Sequence, residues 1–184
     1  MLRLASEYPN ATVTWVVFSA IGDRVNEAQA SAEAFLRDIP VSQVILKQFK
    51  DGYFPSSMAA VKDVFEDLKS KTAPDLIFTH YRNDLHQDHR QLCELTWNTW
   101  RNHLILEYEI PKYDGDLGSP NFFVTLDDAL RARKIDLLME HFQTQANKHW
   151  FSPETFNAIM RLRGIECKSP SGYAEAFYCR KIAL

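Results

Sequence analysis

Hydrophobic and polar positions change their period along the chain, and these changes mark alternating strands and helices. Runs rich in β-branched and aromatic residues predict strands. Apolar residues that recur every three or four positions predict helices. The predicted strands cover residues 13–19, 41–49, 75–80, 104–110 and 173–182. The predicted helices cover residues 24–37, 57–70, 84–102, 126–142 and 153–163.

The order of these elements predicts the fold class. Strands that alternate with helices across short links form βαβ units, which build a mostly parallel sheet covered by helices. We therefore expect a Rossmann-like α/β fold, a three-layer sandwich, with residues 1–184 forming a single domain. Such sheets bind ligands at the carboxyl ends of their strands. Segment 111–120, rich in Gly, Asp and Pro, is long enough to form a binding loop there.

The chain begins with a helical pattern instead of a strand. Its first apolar residues fit one side of a helix that ends before Pro9: Met1, Leu2, Leu4 and Ala5. Doubly wound sheets normally start with a strand, which often lies centrally in the sheet. We therefore expect that the first strand of this fold is missing from the sequence and lies upstream of Met1.

Composition and charge exclude several classes of protein. The chain is 46% hydrophobic and 24% charged, as in globular rather than disordered proteins. Its net charge of −3 gives no basic field for nucleic acid, and its apolar runs are far shorter than the ~18 residues of a membrane span. The absence of a secretion signal and the odd, scattered cysteines predict a cytoplasmic protein with reduced thiols. The sequence leaves a homo-oligomer open.

Half of the histidines lie in one short segment where the third predicted strand ends. Three of the six occur between His80 and His89. His86 and His89 are three positions apart, so they lie on one face of a helical turn. Imidazole is a common zinc ligand and also exchanges protons near neutral pH. With Asp88 they form a His-x-Asp-His pattern, which predicts metal binding or catalysis; solvated polar residues at a helix start are the alternative.

Four segments, in order along the chain, match the pattern of one enzyme family. They are GDRVNEAQASAEAF, HYRNDLHQDHR, KIDLLMEHFQTQ and RLRGIECKSPSGYAEAF. They resemble the Arg-x-x-Glu-x-x-x-Ala block, the His-x-Asp-His signature, the late helix and the Arg-Gly…Tyr-Ala-Glu-Ala-Phe ending of the PIG-L/LmbE-type zinc-dependent N-acetyl-sugar deacetylases. The family's other signature, His-Pro-Asp-Asp-Glu, does not occur in this sequence. It would fall before Met1, where we expect the missing strand.

The resemblance implies an enzyme and assigns roles to three residues. The implied reaction is hydrolysis of the N-acetyl group of an N-acetylglucosamine-like sugar on a glycolipid, a sugar nucleotide or a glycoside. The implied cofactor is Zn²⁺, although other divalent metals also suit such ligands. By resemblance His89 binds the metal, His86 acts as a general acid or stabilises the oxyanion, and Asp88 orients the site.

Three further residues are candidates for substrate binding. Arg24 opens a predicted helix directly after a strand, and Glu27 lies one turn later. Glu175 lies on an otherwise apolar strand face, where an unpaired carboxylate is costly, so we expect it buried and partnered. A solvated or purely structural role is the alternative for each of them. Asp84 is predicted to cap a helix, with Gln87 completing a capping box.

The missing signature also limits what the chain can do by itself. In the family it supplies two metal ligands and the general base. A catalytic zinc takes three protein ligands, and His89 is the one that the resemblance identifies in this sequence. We therefore expect the 184-residue chain alone to bind zinc weakly and to be inactive. The alternatives are a non-catalytic sugar-binding relative and a metal-dependent phosphoesterase, because His and Asp clusters also serve two-metal sites.

Overall fold

The computed structural model describes residues 1–182, which form two compact units. The N-terminal unit comprises Met1–Phe49 and Thr125–Ala174. The central unit comprises Lys50–Val124 and residues 175–182, and it contains the whole histidine-rich segment. The prediction of a single domain concerns residues 1–184 as a whole and stays a prediction.

Helices and strands alternate through most of the chain. In order, they are α1 (Leu2–Glu7), β1 (Thr12–Val17), α2 (Asp23–Phe35), β2 (Val41–Leu46), α3 (Met58–Lys71), β3 (Leu76–His80), α4 (Gln87–Thr99), β4 (Leu104–Tyr108), β5 (Phe122–Leu126), α5 (Asp128–His141), α6 (Pro153–Glu166) and β6 (Tyr173–Cys179). No helix among residues 1–182 is both long and apolar enough to cross a membrane.

Parallel strand pairs dominate the sheets. β1 pairs with β2, and Thr12 lies opposite Val41; β3 pairs with β4, and Leu76 lies opposite Leu104. Both pairs are parallel, and each is joined by a helix. β6 runs antiparallel to β4, giving the strand order β3-β4-β6-β5. The predicted α/β class with a mostly parallel sheet is confirmed.

Apolar side chains of the first residues pack in the N-terminal unit. Ala5 belongs to a buried cluster with Leu36 and Ile39, against which Met1 and other half-buried residues pack. This burial explains why a helix of only six residues is stable here, since an isolated helix of that length is not. The predicted helix at the start of the chain is confirmed.

Two predicted boundaries are wrong, and the structure gives the physical reasons. Residues 122–126 form strand β5, so the predicted helix does not begin at residue 126. It begins at Asp128, as α5. The Asp127 carboxylate caps this helix by accepting a hydrogen bond from Leu130 N at 2.8 Å. α4 begins at Gln87 with His86 as its N-cap residue. The Gln87 side chain donates to the Gly52 carbonyl, so the predicted capping box does not form.

A close backbone approach explains the Arg-Gly part of the C-terminal segment. Gly164 lies in α6 beside the turn that precedes β6. A Cβ atom at position 164 would lie 2.1 Å from the Gly172 carbonyl oxygen, which is far inside van der Waals contact. Glycine is therefore required at this position for helix and turn to pack together.

Candidate metal and catalytic site

The histidine-rich segment lies at the carboxyl end of β3, as the sequence predicts. His80 is the last residue of the strand, and Tyr81 N continues the pairing by donating to Tyr108 O at 3.0 Å. The chain then turns, with Asp84 N donating to Tyr81 O at 3.1 Å. α4 follows and carries Asp88 and His89 in its first turn.

Two imidazole rings contact the ring of His89 at this strand end. The rings of His80 and His89 stack in parallel, with centroids 4.0 Å apart and planes 8° apart. The His86 ring lies 4.5 Å from the His89 ring at 33°. The prediction that His86 and His89 lie together is confirmed, and His80 completes the group.

His80 is held as a neutral imidazole. Its Nδ1 is buried without a hydrogen-bond partner among the described residues, and its Nε2 lies 3.3 Å from the Tyr108 hydroxyl. Burial has the largest effect on the pKa of His80 and the nearby His89 the second largest. Both lower this pKa, which lies well below its usual value of 6.5. A neutral His80 can stack closely on His89 without charge repulsion.

Asp84 connects the loop before α4 to the His89 ring. Its side chain is almost fully buried, with 1% of the residue exposed. Oδ1 accepts a hydrogen bond from His86 N at 2.8 Å, and Oδ2 lies 2.9 Å from His89 Nδ1 and 3.0 Å from Lys112 Nζ. Burial opposes ionisation, but the hydrogen bonds from His89 and Lys112 outweigh it and lower the pKa of Asp84 to about 2. Because α4 begins at Gln87 with His86 as its N-cap residue, Asp84 is not the helix cap that the sequence predicts.

The loop after β4 lies against this cluster. Lys112 also pairs with Asp116, whose Oδ2 accepts a hydrogen bond from Leu85 N at 2.7 Å. Gly118 N donates to Glu109 at 2.8 Å, so the two ends of the loop are close together. The sequence predicts a binding loop at 111–120, and the structure brings segment 109–118 next to the residue that precedes His86.

Asp88 binds the backbone of a neighbouring turn. Its Oδ2 accepts a hydrogen bond from Gly52 N at 2.6 Å and its Oδ1 accepts one from Phe54 N at 3.0 Å. The carboxylate is buried, with 2% of the residue exposed. Asp88 therefore fixes the turn at residues 50–54 against the start of α4, and its catalytic role stays a prediction.

Asp88→Ala is expected to lower the free energy of unfolding by about 2–4 kcal/mol, because the buried Phe54 N–H and the half-buried Gly52 N–H lose their charged acceptor. Urea denaturation followed by circular dichroism measures the loss. Asp63→Ala is the matched control, since Asp63 lies exposed on α3. Equal stabilities of the two variants would contradict the role given to Asp88.

The donor set suits a divalent metal, although it is incomplete for catalysis. Ligand atoms of His80, Asp84 and His89 lie within 4.8 Å of one another, and Asp51, His86 and Asp88 form a second such group. Because imidazole lone pairs lie in the ring plane, the parallel rings of His80 and His89 cannot both direct a lone pair at one ion. His89, whose Nδ1 contacts a carboxylate, has the environment of a metal-binding histidine.

The three predicted substrate-binding residues lie in different places. Arg24 is exposed in the first turn of α2, in the N-terminal unit. Glu27, in the same helix, accepts hydrogen bonds from Thr144 N at 2.8 Å and Thr144 Oγ1 at 2.6 Å. Glu175 lies on β6 in the central unit, where it is half-buried and not buried as the sequence predicts, and it does have an interaction partner, as predicted. Substrate contacts by these residues stay predictions.

Glu107 on β4 is a buried charge that the sequence analysis did not identify. It is fully buried and accepts hydrogen bonds from Arg82 N at 2.9 Å and Trp97 Nε1 at 2.7 Å. The Arg180 guanidinium binds both of its oxygens, at 2.5 and 2.8 Å. Although burial opposes ionisation, these donors, Arg180 first among them, lower the pKa of Glu107.

One protein-family model matches the chain. It is described as GlcNAc-PI de-N-acetylase (PIG-L), and it matches residues 8–100, which include β1–β3 and α4 with the His-x-Asp-His pattern. A search of curated proteins gave no match.

Solved structures of similar fold cover nearly the whole chain. A deacetylase of the pseudoaglycone of the antimicrobial A40926 is 19% identical; the match covers 100% of this chain and 92% of that protein, with a TM-score of 0.70. The N,N'-diacetylchitobiose deacetylase from Pyrococcus horikoshii is 18% identical over 96% of this chain and 74% of its own, with a TM-score of 0.71. A 4-carboxy-2-hydroxymuconate hydratase from Pseudomonas putida is 14% identical; the match covers 94% of this chain and 85% of that protein, with a TM-score of 0.65. These likenesses support the three-layer α/β fold.

Proposed function

The chain belongs to the PIG-L family of de-N-acetylases, and on this basis we propose that its site serves the hydrolytic removal of an acetyl group from an N-acetylglucosamine-like sugar. The observation that carries the proposal is the contact between the His86 and His89 rings, 4.5 Å apart, at the carboxyl end of β3. That is the edge at which α/β sheets bind their ligands.

The cofactor that we propose is Zn²⁺, with His89 as the ligand from this segment. A bound zinc ion would polarise the amide carbonyl and favour formation of a water nucleophile near neutral pH. Asp84 accepts the hydrogen bond of His89 Nδ1 and thereby orients this ring.

His86 is the proposed general acid or oxyanion-stabilising group. Its backbone N–H is fixed by Asp84, and its ring lies directly beside that of His89. The His86 Nδ1 is buried and has no hydrogen-bond partner among the described residues. We propose that this ring, next to the metal ligand, donates a proton or hydrogen bond to the amide oxygen or to the leaving amine.

The substrate class follows from the family and not from a visible sugar site. We propose an N-acetylated amino sugar carried on a glycolipid, a sugar nucleotide or a glycoside. We propose that the loop at 109–118 selects among these carriers; its support is that Lys112 binds Asp84 and Asp116 binds Leu85 N, the residue before His86. A cytoplasmic location and a homo-oligomer stay predictions from the sequence.

The experiment measures acetate release from an N-acetylglucosamine glycoside in the presence of Zn²⁺. It compares the 184-residue chain with an extended variant that carries a strand and the His-Pro-Asp-Asp-Glu motif before Met1. We expect background release from the chain itself, because His89 alone cannot complete a catalytic zinc site, and turnover from the extended variant. Turnover by the chain itself would contradict the predicted shortage of ligands.

No release from a folded, zinc-loaded extended variant would contradict the deacetylase proposal. In that case, a sugar that raises the melting temperature without being hydrolysed would favour the non-catalytic sugar-binding relative. The hydratase among the similar structures shows that this fold also carries other reactions.

A metal-dependent phosphoesterase is the second candidate function. The observation that favours it is the second group of potential ligands, Asp51, His86 and Asp88, which adjoins the first. Two-metal sites commonly catalyse phosphate transfer. Two metal ions bound per chain and hydrolysis of a phosphate monoester would favour this function, whereas one ion and no such hydrolysis would exclude it.

A further inference from the structure

The carboxylate that contacts His89 lies outside the His-x-Asp-His pattern. The aspartate within the pattern, Asp88, uses its two oxygens to bind Gly52 N and Phe54 N, in the turn before α3. Asp84, five residues before His89, lies 2.9 Å from the Nδ1 atom of that ring. The two aspartates therefore bind different partners: Asp88 binds backbone N–H groups and Asp84 contacts the His89 ring.

The geometry around Asp84 fixes which nitrogen of His89 carries a proton. An ionised carboxylate only accepts hydrogen bonds, so His89 Nδ1 must be the donor. If Nδ1 carried no proton, its lone pair would face the negatively charged carboxylate oxygen, and the two would repel each other. The second nitrogen, Nε2, is then the one whose lone pair is available to a metal.

Lys112 binds the Asp84 carboxylate and holds it in place. Its ammonium group lies 3.0 Å from the same oxygen that contacts His89, and its side chain is largely buried, with 9% exposed. The other oxygen of Asp84 accepts the hydrogen bond from His86 N. Three donors on two oxygens leave the carboxylate little freedom to turn.

We propose that Asp84 is the positioning residue that holds His89 in its Nδ1–H tautomer, and that Lys112 attaches the loop at 109–118 to this pair. That a metal binds Nε2 rests on the proposed function. The assignment of the tautomer does not, because it rests on the contacts of Asp84.

The variant Asp84→Asn tests this assignment because it keeps the shape of the side chain. His86 N requires an acceptor, so the amide oxygen takes the place of Oδ1. The amide NH₂ then faces His89 Nδ1 and can only donate. His89 is expected to switch to its Nε2–H tautomer, as occurs when the aspartate of a serine-protease triad becomes asparagine.

Nitrogen NMR of the imidazole rings in the metal-free 184-residue chain reads the tautomer directly. Measured above the ordinary pKa of histidine, the unsubstituted chain should show a protonated His89 Nδ1, and Asp84→Asn should show the reverse. Asp88→Asn is the matched control and should leave the His89 tautomer unchanged. Asp84→Asn should also weaken Zn²⁺ binding by roughly 10–100-fold, the usual effect of losing such a partner.

The unsubstituted chain alone can overturn the proposal, so the test does not depend on folding of the variants. A proton on Nε2 with none on Nδ1 in that chain would overturn it, as would an unchanged tautomer in folded Asp84→Asn. A failure of the deacetylase proposal has a different signature, the absence of acetate release by the zinc-loaded extended variant while the tautomer is as expected.

Discussion

Glu107→Ala is expected to lower the free energy of unfolding by about 3–5 kcal/mol, because the ionised acceptor of four hydrogen bonds is lost. The glutamate is fully buried and accepts four hydrogen bonds from Arg82, Trp97 and Arg180. Alanine would leave these donors without an acceptor and the Arg180 guanidinium without its counter-charge.

Urea denaturation of Glu107→Ala and of Glu94→Ala measures this effect. Glu94 is exposed on α4, so its replacement is expected to change stability by less than about 0.5 kcal/mol. The folded state lowers the pKa of Glu107 from its usual 4.5, so the contribution is present above that value and is lost as the pH falls through the folded-state pKa. A loss no larger than that of the control, or one that grows in acid, would contradict this account.

His86→Ala in the extended variant is expected to reduce kcat by about 10²–10⁴-fold, the usual contribution of a general acid. The zinc content should stay close to that of the unsubstituted protein, because the proposed role of His86 is proton donation or oxyanion stabilisation. His89→Ala should instead lower zinc occupancy. These opposite patterns separate the two neighbouring histidines.

Acetate release and metal analysis on the same samples check this prediction. His149→Ala is the matched control, since His149 is exposed in the N-terminal unit, and it should leave both quantities unchanged. Full turnover by His86→Ala would show that another group donates the proton. A parallel loss of zinc would instead make His86 a metal ligand.

Local periodicity predicted the parts of the molecule that depend on neighbours in sequence. The apolar runs that form β1–β4 were identified because strand composition is a local property. His86 and His89 were placed together for the same reason, since their separation of three residues fixes their geometry at a helix start. The four family-like segments supported the same order of elements.

Long-range contacts could not be predicted in this way. Asp84 meets Lys112 from a different loop, and Glu107 meets Arg180 from the end of the chain. No spacing rule relates such residues, because the sheet and its loops bring them together only after folding. The capping box at Asp84 was predicted by a sound local rule, but His86 N and Lys112 compete for the same carboxylate.

Identification of the ligand nitrogens is the most direct test of the central claim, that His89 contributes a metal ligand to a deacetylase site. An NMR-active cadmium isotope, used as a substitute for zinc, shows a resolved coupling only to the nitrogens that bind it. The account predicts coupling to His89 Nε2 and none to His80 or His86. Coupling to His80 or His86 without His89, or binding without any imidazole, would contradict it.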